Sequence, residues 1–294
     1  MLSILIISYG RKQELIETLI DISKYEGEKI ELLFLDNNPT NALFENINSV
    51  FKSNDDIEYK YFHDGINYGV SKGRNYLIEK AKGDILVTLD DDLEIPNVSE
   101  LLTKVRNYFT HNINVGVLAF NIKNFYTRKS LRHEIPHGNK KLDFENNLLT
   151  YYFIGAGHAI RKSVYDKVGL YPLDLGMYGG EERDLSFRVL EAGYDILYTS
   201  DIVIYHKVSP NGRMPKEREN YFRYRNQLIV LNRYMPLFYR ITSNIIWSIF
   251  YIISFRGGIL DVYSILCELK KLEKKTVSNK VIVLIKELKG RVLF

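Results

Sequence analysis

Three consecutive carboxylates, Asp90-Asp91-Asp92, follow a short apolar run from Ile85 to Leu89. Such a run is typical of a strand that is covered on both faces. Adjacent carboxylates repel one another, and without compensation that repulsion lowers stability. A divalent cation supplies the compensation, because Mg²⁺ and Mn²⁺ bind carboxylate oxygens together with substrate phosphates. The triplet therefore indicates a metal site that handles phosphates, and the alternative is a solvated acidic turn.

Two further apolar runs end in polar residues. Leu2 to Ser8 is followed by Tyr9-Gly10-Arg11, and Ile30 to Leu35 is followed by Asp36-Asn37. Strands alternating with helices predict βαβ units and a parallel sheet, whose ligands bind outside the carboxyl ends of the strands. We therefore expect all three polar segments at one rim. The intervening elements are predicted as helices at 12–24, about 41–52 and 70–80, and a strand at 57–62.

After residue 95 the pattern changes. The residues up to 147 predict a helix, a strand and then a loop over the site at 123–147. Glu181-Glu182-Arg183-Asp184 follows two glycines and opens a helix that runs to Ala192. A strand pattern then ends at His206, and 209–219 predicts a flexible, charged loop. From Asn220 onward the chain is predicted to be almost entirely helical.

Composition limits the class of protein. The chain has 294 residues, of which 46% are hydrophobic and 26% charged, which fits a soluble protein with a sizeable core. A single cysteine, Cys267, excludes an internal disulfide and favours a reducing compartment. The N-terminus lacks a basic segment followed by a long apolar run, so no signal peptide is expected.

The C-terminal region differs from the rest in charge. Residues 223–294 carry thirteen Lys or Arg and four Asp or Glu, whereas the remainder is net acidic. Ile245 to Phe255 is an apolar run that is too short for a membrane span of about 20 residues. This pattern suits helices on an anionic membrane surface, and it equally suits helices that pack on the body or form a homodimer. Nothing accompanies the basic region that would read bases, so no nucleic acid partner is expected.

Four motifs resemble glycosyltransferase family 2, which has the GT-A fold. The resemblance covers roughly residues 2–235, and its strength lies in the order and separation of the motifs. Gly10 and Glu182 depart from the pattern, since the family usually has Asn in the first turn and Glu-Asp where this chain has Glu181-Glu182. The motifs are Ile6-Ile7-Ser8-Tyr9-Gly10-Arg11, Leu35-Asp36-Asn37-Asn38, the segment from Asn67 to Asn75 with the following triplet, and Gly180 to Arg188.

The resemblance implies roles for several residues. Asp90, Asp92 and His206 would hold Mn²⁺ or Mg²⁺, with Asp90 or Asp91 touching the ribose. His206 is equally an ordinary residue at a strand end. Glu182 would be the general base of an inverting transfer, although acids here also stabilise a helix N-terminus. The donor-binding residues would be Ser8, Tyr9, Arg11, Asp36, Asn67, Gly69 and Arg74, of which Tyr9 stacks on the base and Arg74 meets the diphosphate or pairs with the triplet.

We therefore predict an α/β protein with a GT-A domain at 1–215 and a basic, apolar helical region at 216–294. The predicted function is metal-dependent, inverting transfer of a sugar from a nucleotide-diphosphate sugar to a saccharide or lipid-linked acceptor, in bacterial polysaccharide synthesis. UDP is the first expectation for the nucleotide and dTDP the next. The alternatives are a sugar nucleotidyltransferase and an inactive carbohydrate- or nucleotide-binding domain. The expected location is cytoplasmic, including the inner face of the cell membrane.

Overall fold

The computed structural model describes residues 1–40 and 43–290. Two residues of the helix predicted at about 41–52 lie outside this part, and the helix begins at Phe44. The described strands are β1 (Leu2–Ser8), β2 (Ile30–Asp36), β3 (Ile57–His63), β4 (Ile85–Leu89), β5 (Leu93–Glu94), β6 (Val115–Asn124), β7 (Leu148–Thr150), β8 (Gly157–Arg161) and β9 (Asp195–His206). The described helices are α1 (Lys12–Ser23), α2 (Phe44–Phe51), α3 (Gly69–Lys80), α4 (Val98–His111), α5 (Lys162–Val168), α6 (Glu181–Glu191), α7 (Lys216–Tyr234), α8 (Leu237–Ser254), α9 (Ile259–Lys270) and α10 (Asn279–Glu287).

One sheet holds the strands in the order β3-β2-β1-β4-β8-β6-β9-β5, and β7 pairs with β9. Strands β3, β2, β1 and β4 are mutually parallel, as are β6 and β9, whereas β8 runs antiparallel to both of its neighbours. The register pairs Ser8 with Asp36, and β4 ends beside Ile6. The predicted α/β fold, with a mostly parallel central sheet and a C-terminal helical region, is confirmed.

Apolar layers cover both faces of the sheet. Alternate residues of β2 point to opposite faces, as the strand period of two requires, so Leu33 joins one layer and Phe34 the other. The layer that contains Leu33 continues into the C-terminal helices, where Leu228, Ile265 and Ile282 are buried. The division predicted between 215 and 216 falls at the start of α7, and the apolar core continues across it.

One local prediction differs from the structure, and the sequence analysis missed the strand β5. The loop predicted at 209–219 is helical from Lys216, because Glu217 and Glu219 in the first turn favour the N-terminus of α7. The two-residue strand β5 was too short to give a periodic signal. It pairs Leu93 with His206 and so brings the end of β9 next to the aspartate triplet.

Candidate active site

The three aspartates at the end of β4 have different surroundings. The side chain of Asp90 is 29% exposed, whereas Asp91 and Asp92 are buried. Arg11 Nη1 donates to Asp91 Oδ1 at 2.8 Å and lies 3.5 Å from Asp92 Oδ2. Burial raises the pKa of Asp91 to about 6 even though Arg11 opposes the shift. Arg11 therefore offsets part of the negative charge of the triplet, and of the two aspartates expected at the ribose only Asp90 is accessible.

Asp90, Asp92 and His206 form a cluster whose ligand atoms lie within 4.8 Å of one another. Asp92 Oδ1 and His206 Nε2 are 3.1 Å apart, and both are buried with no hydrogen-bond partner among the described residues. Mg²⁺ binds oxygen at about 2.1 Å in octahedral geometry, which places neighbouring ligands about 3 Å apart. Two carboxylates and one imidazole at this spacing fit a divalent cation.

Backbone contacts hold this cluster together. The β5–β9 pairing places His206 opposite Leu93, and Lys207 N donates to the carbonyl of Asp92 at 2.9 Å. Ser209 N donates to Asp92 Oδ2 at 2.8 Å, which leaves Oδ1 to face His206. The chain just after β9 therefore fixes the orientation of the Asp92 carboxylate.

Glu134 is a site residue that the sequence analysis missed. Its Oε1 accepts a hydrogen bond from His206 Nδ1 at 2.6 Å, and the carboxylate is buried. The residue lies in the irregular segment between β6 and β7, which was predicted only as a loop over the site. A histidine that binds a metal ion usually donates its other ring N–H to a carboxylate or a carbonyl.

Of the residues expected to bind the donor nucleotide, Tyr9 lies just past β1 with 44% of its surface exposed, and Ser8 is buried beside it. Asp36 is fully buried. Its oxygens accept hydrogen bonds from Asn38 N, Asn38 Nδ2 and the Tyr61 hydroxyl at 2.9, 2.7 and 2.6 Å. A carboxylate can accept about four hydrogen bonds, so Asp36 keeps capacity for one more donor at Oδ2, although it is not exposed to solvent. Tyr9 is thus the accessible residue of the two.

Asn67 and Gly69 shape the turn that precedes α3. Asn67 Oδ1 accepts from Gly69 N at 2.9 Å, and Gly69 has a φ of +68°. A Cβ at Gly69 would lie 3.0 Å from Met177 Sδ, in the loop before α6. Both residues therefore set the backbone path at this end of α3.

Arg74 of α3 lies between the aspartate triplet and the start of α6. Its Nη1 donates to Glu182 Oε1 at 2.7 Å, and its Nη2 donates to the carbonyl of Gly155 at 3.1 Å. Nη2 also lies 3.6 Å from Asp90 Oδ1. The side chain is only 5% exposed, and its charge is balanced by the partly exposed carboxylates of Glu182 and Asp90 and by buried Glu181, 3.7 Å from Nη1. Of the two roles expected for Arg74, the structure contains the pairing with the triplet and adds one with Glu182.

Gly155 makes room for this arrangement. A Cβ at Gly155 would collide with Glu182 Oε1 and would lie 2.7 Å from Arg74 Nη2. The absence of a side chain at this position therefore lets the carboxylate and the guanidinium meet against the backbone.

The two glutamates at the start of α6 are not equivalent. Glu182 keeps 17% of its side chain exposed, whereas Glu181 is 6% exposed. Burial, and then the charge of Glu182, raise the pKa of Glu181 above its usual range. Glu182 is the accessible member of the pair and lies 2.7 Å from Arg74 Nη1, whereas Glu181 Oε1 lies 3.7 Å from it.

Asp184 and Asn226 connect α7 to the start of α6 and to the loop that precedes it. Asp184 is buried between Arg188 of its own helix and Arg233 of α7. Asn226 Nδ2 donates to the carbonyls of Leu175, Tyr178 and Gly179 at 2.8, 2.9 and 2.7 Å. Asn226 thereby holds the turn that leads into Glu181 and Glu182.

Comparison with known proteins agrees with this geometry. The family model described as "Glycosyl transferase family 2" matches residues 3–169. An uncharacterised protein of Haemophilus influenzae is 60% identical over 172 residues, which are 58% of this chain and 93% of that protein.

Two solved structures have a similar fold. S. aureus TarS 1–349 in complex with UDP-GlcNAc is 15% identical with a TM-score of 0.64, over 96% of this chain and 83% of that one. The mannosyltransferase PcManGT of Pyrobaculum calidifontis, in complex with GDP-Man and Mn²⁺, is 13% identical with a TM-score of 0.61, over 97% of this chain and 78% of that one.

Proposed function

The chain belongs to glycosyl transferase family 2, and from that premise we propose that it is a metal-dependent, inverting glycosyltransferase. It transfers a sugar from a nucleotide-diphosphate sugar to a saccharide or lipid-linked saccharide in the synthesis of a bacterial surface polysaccharide. UDP is the first candidate nucleotide and dTDP the second. The complexes of S. aureus TarS with UDP-GlcNAc and of PcManGT with GDP-Man and Mn²⁺ support a nucleotide-sugar donor.

The observation that carries this proposal is the position of Arg74. One guanidinium contacts Glu182 and lies near Asp90 of the triplet. A sugar-transfer site needs a metal and diphosphate on one side of the anomeric carbon and a base on the other. Arg74 links one candidate for each role, so donor and acceptor positions are held in a fixed relation.

On the donor side, Asp90, Asp92 and His206 would hold Mn²⁺ or Mg²⁺. When bound, the cation neutralises the negative charge that develops on the leaving diphosphate. Arg11 keeps Asp91 and Asp92 compatible with burial. Tyr9 offers an exposed ring to the base, and Asn67 and Gly69 shape the backbone nearby.

On the acceptor side, Glu182 is the proposed general base. An inverting displacement requires a carboxylate within hydrogen-bond reach of the acceptor hydroxyl, opposite the leaving group. Arg74 and the backbone at Gly155 orient Glu182. Burial and the charge of Glu182 raise the pKa of Glu181, which disfavours ionisation of Glu181.

We place the enzyme in the cytoplasm, at the inner face of the membrane, where a lipid-linked acceptor is accessible. The helical region after residue 215 supports this location through its basic charge and its exposed apolar residues.

Thermal unfolding of the full chain with UDP, dTDP or GDP, with and without Mn²⁺, tests donor and metal together. A ligand at 100 times its Kd stabilises the folded state by about 2.7 kcal/mol, so the correct pair raises Tm by several degrees. Asp92→Ala should abolish the metal-dependent part of the shift. Asp84→Ala, at the exposed start of the same strand, should leave it intact. A full shift in Asp92→Ala would remove Asp92 from the site.

A further inference from the structure

Helix α8 carries an exposed apolar face. Among the described residues, the segment 237–263 holds twelve of the 23 exposed large apolar side chains. Proteins that work only in water rarely expose a contiguous apolar patch of this kind, and larger ones mark protein or membrane contacts. We call this set the α8 surface; it comprises Leu237, Phe238, Ile241, Ile245, Ile246, Ile249, Phe250, Ile252 and Ile253, with Ile259, Leu260 and Tyr263 of α9.

The opposite face of α8 is fastened to α7. Asn232 Nδ2 donates to Asn244 Oδ1 at 2.6 Å, and the hydroxyls of Tyr224 and Ser248 are 2.8 Å apart. The ring of Tyr251 stacks on that of Tyr224 with centroids 4.3 Å apart. Asn244, Ser248 and Tyr251 are spaced by four and three residues, so they lie on one side of the helix.

One face of α8 is apolar and exposed and the other contacts α7, and this limits how the helix can be oriented in a membrane. Its 18 residues are long and apolar enough to cross a bilayer, and 11% of them are buried. A crossing helix, however, can be flanked only by lipid or by other spanning helices, and α7 carries too many charged residues to span a bilayer. The polar contacts with α7 keep one side of α8 on the protein, which is the arrangement of a helix that lies along an interface.

The net charge of residues 237–275 is positive, although Asp261 lies within the α8 surface, where it accepts a hydrogen bond from Tyr251, and Glu273 lies among the following lysines. No charged residue lies between Arg240 and Arg256, and exposed basic residues follow the surface at Arg256 and at 270–275. Two arginines of the same region form ion pairs within the protein, Arg225 with Glu268 and Arg233 with Asp184. Lysines are depleted in contacts between protein subunits, whereas they favour anionic headgroups.

We propose that the α8 surface lies flat in the headgroup region of an anionic bilayer, with α7 on the protein side. The inference makes the proposed location specific, but it does not depend on which donor or acceptor the enzyme uses. The occupant is a lipid surface, and a second copy of the chain is the competing occupant.

The test uses the full chain, because α10 buries Val281, Ile282 and Ile285 in the core and its removal would open that core. Co-sedimentation is measured with vesicles of phosphatidylcholine alone and with one quarter phosphatidylglycerol, at low salt. The variant Ile245→Asp/Ile249→Asp places two charges on the α8 surface. The matched control is Ile113→Asp, since Ile113 is 83% exposed in the turn before β6.

The wild type and Ile113→Asp should bind anionic vesicles at least about tenfold more strongly than neutral ones, and 0.5 M salt should weaken that binding. The double variant should lose binding by about tenfold or more, with an unchanged melting temperature. Equal binding by the double variant, or no binding by the wild type, would overturn the proposal. So would a dimer of the wild type, detected by light scattering, that the double variant abolishes without any vesicle binding.

Discussion

Glu134 Oε1 accepts a hydrogen bond from His206 Nδ1 at 2.6 Å, and this contact decides which ring nitrogen faces the triplet. In the neutral form that a metal ligand requires, the proton stays on Nδ1 and the lone pair of Nε2 is on the side of Asp92 Oδ1, 3.1 Å away. The carboxylate therefore orients the imidazole and increases its basicity as a ligand. Glu134 acts through His206, so we regard it as a positioning residue.

Glu134→Gln keeps the shape of the side chain and removes its charge. We expect the affinity for Mn²⁺, measured by titration calorimetry in the absence of donor, to fall about tenfold or more. Glu145→Gln is the matched control, since Glu145 lies in the same segment and is exposed. Equal Mn²⁺ affinity in both variants would show that the His206 ring needs no support from Glu134.

Metal binding should release a proton. Burial alone would lower the pKa of His206, but the carboxylates of Asp92 and Glu134 outweigh it and raise that pKa to about 10. The metal-free imidazole is therefore protonated at pH 7, whereas a metal ligand must be neutral. Burial acts to raise the pKa of Asp92, yet His206 and Arg11 hold it at about 2, so Asp92 stays ionised.

Mn²⁺ affinity should consequently rise about tenfold for each pH unit between pH 6 and 8, for one proton released. Calorimetry in two buffers with different ionisation enthalpies measures that proton directly. An apparent binding enthalpy that is the same in both buffers would contradict a protonated His206.

Glu182→Gln should lower kcat by about 10²–10⁴-fold, the range for a lost general base, and should leave donor affinity nearly intact. Glu181→Gln should be milder, because the raised pKa of Glu181 disfavours its ionised form and glutamine resembles the protonated form. An inactive Glu181→Gln beside an active Glu182→Gln would exchange the two roles. Full activity in both variants would exclude this pair as the source of the base.

Asp184→Asn should reduce stability rather than catalysis. The carboxylate is buried between Arg188 and Arg233, and breaking a buried ion pair costs about 3–5 kcal/mol. Urea unfolding should reveal this loss, while Asp166→Asn on the exposed side of α5 should change stability by less than about 0.5 kcal/mol. Wild-type stability in Asp184→Asn would mean that the two arginines find other partners.

Patterns of neighbouring residues in the sequence were enough to predict part of the site. The triplet follows a strand with an unmistakable apolar run, and Glu182 opens a helix after two glycines, so both could be placed from neighbouring residues. Glu134 could not, because its partner His206 is 72 residues away and its own segment has no periodicity. Asn226 lies in a helix whose pattern carries no sign of the carbonyls, 47 to 51 residues earlier, that it binds.

The lack of space for a side chain at Gly155 predicts which substitutions related sequences can tolerate. No side chain fits at position 155 while Arg74 and Glu182 keep their present positions. Descendants of this sequence that retain an acid at 182 and an arginine at 74 should therefore retain glycine at 155. Lineages that have lost both the acid and the arginine are released from that restriction and can accumulate alanine or serine there. If positions 74, 155 and 182 co-vary among related sequences, the transfer reaction has been under selection.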